Sequence, residues 1–174
     1  MIKEDIIQRA DEYLQKLTET SLKKYLDEIA QTQEFAIVYV QTMGDIFEDA
    51  EEYFDKYIYF FLLIHRSYTN RFRFFPKISM ETIEKIEEEN NNFFDKLSTK
   101  NDEEFESEME SYLSKHPQKT LIDFITLDLF ESDEEAYDNI GLELDNQIFF
   151  LLITLINIYE ESLINSQKEF NKKQ

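Results

Sequence analysis

Phe149-Phe150-Leu151-Leu152-Ile153 repeats, letter for letter, an earlier stretch, Phe60-Phe61-Leu62-Leu63-Ile64. Each copy follows an acidic block, DIFEDAEEYFDK at 45–56 and DLFESDEEAYDN at 128–139. Aligned without a gap, the blocks agree at Asp45/Asp128, Phe47/Phe130, Glu48/Glu131, Glu51/Glu134, Glu52/Glu135 and Asp55/Asp138. The acidic blocks are offset by 83 residues (45 to 128) and the apolar ones by 89 (60 to 149), so the second copy carries six extra residues, best placed at GLELDN, 141–146. Three weaker matches extend the theme in the same order: QKLT (15–18) with DKLS (95–98), LKKYL (22–26) with MESYL (109–113), and AIVYV (36–40) with LIDFI (121–125). They define two related units, about 13–69 and 93–164. Two copies of so long a unit do not make a short-period solenoid. A duplicated helical unit packed face to face, as one all-α domain over 1–174, is the expected architecture.

Composition narrows the class further. The chain has 174 residues, long enough for a core without staples, and no cysteine, so a disulfide framework, a thiolate zinc site and a cysteine nucleophile are all excluded. Thirty-eight acids against eighteen bases leave a net charge of −20, which repels phosphate backbones and disfavours direct nucleic-acid binding. Two glycines and two prolines are too few for the turns of a strand-rich fold and point to long helices with short connections. The opening MIKEDIIQRADEYL mixes acids with its apolar residues, unlike a secretory signal, and the longest mostly apolar run, 148–159, is about half of a bilayer span. A cytoplasmic protein with no membrane contact is the expectation.

Apolar spacing predicts a bundle of six to eight helices. The first runs over 2–17, and Thr20 or Ser21 caps a second that reaches Gly44. Asp45 with Glu48 makes a capping box for a third helix carrying the first FFLLI, although the apolar phase also allows a kinked continuous helix through the glycine. A connection at 67–79 precedes a helix capped by Ser79 and ending near Leu97; Asn101 with Glu104 starts the next, which His116-Pro117 ends. Pro117 suits the first turn of a helix to Phe130. Ser132 with Glu135 caps a short helix that stops near Gly141, Asp145 caps the last helix at 146–165, and the tail 165–174 frays. That last helix is apolar nearly all round and belongs at the centre.

Two groups of residues could carry chemistry. Glu48, Glu52 and Asp55 would share a face of one helix, as would Glu131, Glu135 and Asp138 of the other copy. If the two faces met, their carboxylates could hold Mg or Mn and support phosphoester or nucleotide hydrolysis. The simpler explanation is that they are solvated faces and helix starts, where acids suit the positive end of the helix dipole. The second group is Arg66, Arg71, Phe72, Arg73 and Phe74, an alternation of guanidinium and ring that either grips a partner or docks on acids of the same chain such as those at 81–89. His65 and His116 read as helix-end residues, and the Glu-x-x-His motif of di-iron bundles is absent because leucines precede both by three. The resulting expectation is a non-enzymatic acidic protein acting through a protein partner, in a regulatory, inhibitory or immunity-like role, as monomer or homodimer. A basic protein is the natural counterpart of its charge, and a divalent-metal hydrolase using the paired carboxylates is the alternative.

Overall fold

A helix segment that is apolar on nearly every side has to be surrounded, and the fold surrounds two such segments, those carrying the FFLLI stretches. The computed structural model describes residues 1–130 and 139–172, all helix and short connection, with no strand among them. Eight helices are described: α1 (Glu4–Leu14), α2 (Glu19–Thr32), α3 (Glu34–Gly44), α4 (Glu51–Arg71), α5 (Met80–Ser98), α6 (Asp102–Lys115), α7 (Lys119–Phe130) and α8 (Asn139–Lys172). Helices α4 and α8 lie side by side at the centre and run parallel, since Lys56 meets Asp145 near their beginnings and Tyr68 meets Glu160 near their ends. Both FFLLI stretches are helical. The first is buried throughout, whereas the second buries Phe149, Leu152 and Ile153 and leaves Phe150 and Leu151 half-buried against the core. Around this pair, α1 and α3 pack on α4, α5 and α7 pack on α8, α2 pairs with α3, and α6 bridges α5 and α7.

Local chemistry sets most boundaries. Thr18, not Thr20 or Ser21, caps α2, exchanging hydrogen bonds with Ser21 in a reciprocal box. Ser79 and Asn101 cap α5 and α6 by accepting from Thr82 N and Glu104 N. The expected single helix up to Gly44 is broken at Gln33, whose side chain is buried and clamps the α4–α5 connection: its Nε2 donates to Pro76 O at 3.0 Å, and its Oε1 accepts from Ile78 N at 2.9 Å. Gly44 ends α3 with ordinary right-handed dihedrals, so it is there for space: a Cβ would sit 2.5 Å from Phe54 Cε2. A single 3-10 turn, Asp45–Phe47, follows, and α4 starts only at Glu51 without the expected Asp45/Glu48 capping box.

The last helix differs most from expectation. It begins by Asn139, so Gly141 lies within it instead of stopping a helix, and Asp145 is an interior residue instead of its cap. Helix geometry also continues to Lys172 where fraying was expected from 165. At 34 residues, α8 contains one stretch, Gly141–Lys172, long and apolar enough to cross a membrane, and 56% of its most apolar window is buried inside the bundle. The short helix expected over Ser132 and Glu135 lies outside the described residues.

Candidate functional site

One of the two carboxylate sets lies among the described residues. Glu48 follows the 3-10 turn and precedes α4, so it does not share a helix face with Glu52 and Asp55, because the chain leaves helical geometry at Ala50 (φ −136°, ψ 66°). All three are exposed. Their counterparts Glu131, Glu135 and Asp138 lie outside the described residues. Among the described residues no group of three or more His, Asp or Glu is placed to hold a metal.

The arginine–aromatic group divides. Helix α4 runs on to Arg71, so Arg66 is a helical residue and lies inside the bundle edge, its guanidinium carbon 4.0 Å from the Tyr13 ring centroid and 5.9 Å from that of Tyr25. It docks on rings of α1 and α2, not on the acids of α5. Arg71 lies over Phe72 and Arg73 over Phe74, each its own neighbour in sequence. Phe72 is half-buried against the core, whereas Phe74 stands 83% exposed.

Both histidines are hydrogen-bonded to other side chains. His65 is in the interior of α4 instead of at a helix end, 5% exposed, with Nδ1 2.9 Å from the Tyr159 hydroxyl. Burial first, and the neighbouring Arg66 charge second, lower its pKa from 6.5 to about 4, so the ring is neutral near pH 7. His116 does sit at the end of α6, as its C-cap. Its Nδ1 accepts from the Gln118 amide at 3.0 Å, which leaves Nε2–H to donate to Asn157 Oδ1 at 2.8 Å.

What the sequence reading passed over is the polar seam to which His116 belongs. Thr154 and Asn157 look like interruptions of an apolar run, yet they are spaced to face α5 and α6. Asn157 Nδ2 donates to Asn90 Oδ1 (3.1 Å) and to the Tyr112 hydroxyl (2.8 Å), and Asn90 Nδ2 donates to Thr154 Oγ1 (3.0 Å). Thr154 in turn donates to Phe150 O, closing the chain. One turn on, Glu160 Oε1 accepts from the Tyr68 hydroxyl and from Gln118 Nε2, both at 2.8 Å, while Gln118 Oε1 accepts from the Ile2 amide. Burial, then the Glu160 charge, pushes the Tyr68 phenol far up, so it stays a donor. The seam is a positioning device: it fixes the rotation of α8 against its neighbours, as a hydrophobic surface alone would not. The signal available in sequence was the three-residue spacing of Thr154, Asn157 and Glu160 inside the apolar run.

A shallow cleft lies over the seam, lined by Phe93, Tyr112, Lys115, His116, Pro117 and Asn157. Its polar atoms from His116 and Asn157 are already hydrogen-bonded within the seam. The outer surface carries the charge instead. On α6, Asp102, Glu103, Glu104, Glu106 and Glu110 are all exposed, and among the described residues none is within ion-pair distance of a cation; Glu108 of this helix pairs with Lys100, just ahead of it. Comparison of the chain with family models, curated proteins and solved structures finds no match.

Proposed function

We propose that this chain is an acidic helical bundle of two related units that acts, without catalysing a reaction, by binding a basic protein partner in a regulatory or inhibitory role. The observation that carries the reading is the acidic surface of α6: Asp102, Glu103, Glu106 and Glu110 are exposed and among the described residues lack an ion-pair partner, in a protein of net charge −20. Such a surface raises the local concentration of a cationic partner and speeds encounter, an effect that weakens with salt. The polar side chains that could do chemistry, His65, His116, Tyr112 and Asn157, are engaged in holding helices together.

One arrangement supports the duplicated architecture. Both FFLLI copies, and the pairs LKKYL/MESYL and AIVYV/LIDFI, fall on corresponding helices when α1–α4 is set against α5–α8, whereas QKLT follows α1 and DKLS ends α5; the packing is parallel in kind: α1 on α4 and α5 on α8, α2 on α3 and α6 on α7, α3 on α4 and α7 on α8.

The test is binding of the full chain to its captured partner. A basic partner, released progressively as ionic strength rises well above about 0.15 M, is expected. The metal-hydrolase alternative predicts instead a thermal shift of several degrees with millimolar Mn²⁺ that vanishes when Glu52 and Glu135 are both changed to glutamine. Observing that shift would replace this reading.

A further inference from the structure

We propose that the furrow between α6 and α7 is the docking site for a cationic amphipathic helix of the partner, an inference that rests on the acidic-binder reading above. The floor is apolar: Leu113 from α6 and Ile122, Thr126, Leu127 and Phe130 from α7. Leu127 stands 57% exposed here, although α7 buries Leu121, Ile122, Ile125 and Leu129 against the core. At Leu127 the helix therefore has a second apolar edge that no other described helix covers.

The rim supplies the complementarity. On α6, Glu106 and Glu110 precede Leu113 at spacings of seven and three, so they share its face, and both are exposed and unpaired. On α7, Asp123 lines the same furrow, with Lys119 as its ion-pair partner one turn away. An apolar strip edged by carboxylates matches a helix whose leucine-type face is flanked by lysine or arginine. From Ile122 to Phe130 the furrow follows roughly two turns of α7, about 12 Å, enough for anchors at two or three positions of spacing three or four. A helical occupant fits because it pairs its own backbone groups, and both walls are helices whose backbone groups are already paired and offer no edge for strand addition.

The experiment uses the full-length chain and two labelled synthetic peptides of equal charge. One places leucines at i, i+3/i+4 and i+7 with lysines flanking them; the other scrambles the same residues. The amphipathic peptide is expected to bind more tightly, and Leu127→Ser, at an exposed position, to weaken it about tenfold or more, the scale of one buried leucine. Glu106→Gln with Glu110→Gln should weaken it and flatten its salt dependence. The scrambled peptide should be indifferent to Leu127→Ser, and control changes elsewhere, Phe74→Ser or Glu84→Gln with Glu88→Gln, should leave binding of the amphipathic peptide unaltered. If both peptides bind in a salt-dependent way but ignore Leu127→Ser and the α6 changes, the furrow is not the site while the acidic-binder reading stands. If neither peptide binds at low salt, both fail. If the chain is a dimer that Leu127→Ser dissociates, a second copy occupies the furrow and the inference is overturned.

Discussion

Lowering the pH should destabilise this protein through His65, and by an amount that can be worked out. Its folded pKa of about 4 lies below the ordinary 6.5, because burial beside Tyr25, Phe61 and Tyr159, and then the Arg66 charge, disfavour the imidazolium. The unfolded chain therefore binds more protons than the folded one between those values. The stabilisation is fully present above pH 6.5 and is lost as pH falls through 4. Over the whole window it amounts to roughly 3 kcal/mol, at about 1.4 kcal/mol per pKa unit, and the portion lost between pH 7 and pH 5 is about 2 kcal/mol. In a domain of this size that is a fall of about 4 to 8 °C in melting temperature. The measurement is thermal or urea unfolding of the wild type and of His65→Gln across that range. The comparison isolates the ring, since relief of acidic self-repulsion is common to both proteins. Wild type should lose about 2 kcal/mol relative to the variant on going from pH 7 to pH 5. Equal pH slopes for the two proteins would refute the reasoning, since they would mean that the imidazole is not held neutral inside the bundle.

Leu152→Ala should destabilise by about 2 to 5 kcal/mol in urea unfolding, because Leu152 is 1% exposed at the centre of α8; a loss typical of surface changes would contradict a central α8. Asn157→Ala removes the partner of His116 Nε2, Asn90 Oδ1 and the Tyr112 hydroxyl at once, so a loss of about 2 to 4 kcal/mol is expected, with a larger fraction recovered when Asn90 is also made alanine than additivity allows. Gly44→Ala should destabilise by about 1 to 3 kcal/mol in the wild type but become neutral or stabilising when Phe54 is leucine, since the dihedrals at 44 suit alanine and only the Phe54 ring stands in its way.

Class and core were legible because helical periodicity and the shortage of glycine and proline act over long windows, and because the FFLLI copies mark the two helices that need most cover. The caps at Ser79 and Asn101 were legible too, as side-chain oxygens three residues ahead of the amides they accept from. Breaks made by long-range contacts were not. Gln33 ends α2 because its amide reaches Pro76 and Ile78, more than forty residues away, and no local rule marks that glutamine. Asp145 had every local mark of a cap, but Lys56 on α4 compensates its charge inside the helix. Glu48 was separated from Glu52 by the turn that Phe47 makes to bury its ring, a tertiary demand invisible in the spacing of acids. Of the candidate site residues, Arg66 shows the same effect: its cation finds the rings of Tyr13 and Tyr25 before any carboxylate.

The parallel pairing of α4 with α8 has a consequence for how the chain is made. About 70 residues separate the end of α4 from the start of α8. At usual synthesis speeds of about 5 to 20 residues per second, the ribosome needs several seconds to cross that distance. Throughout that interval the face of α4 that carries Tyr68 and His65 has been produced, while Tyr159, Ile156 and Glu160, which will cover it, have not. A nascent chain paused there leaves this face of α4 uncovered. Synonymous codons that slow translation between residues 72 and 138 should therefore raise chaperone association and aggregation during expression, while the same slowing after residue 172 should not.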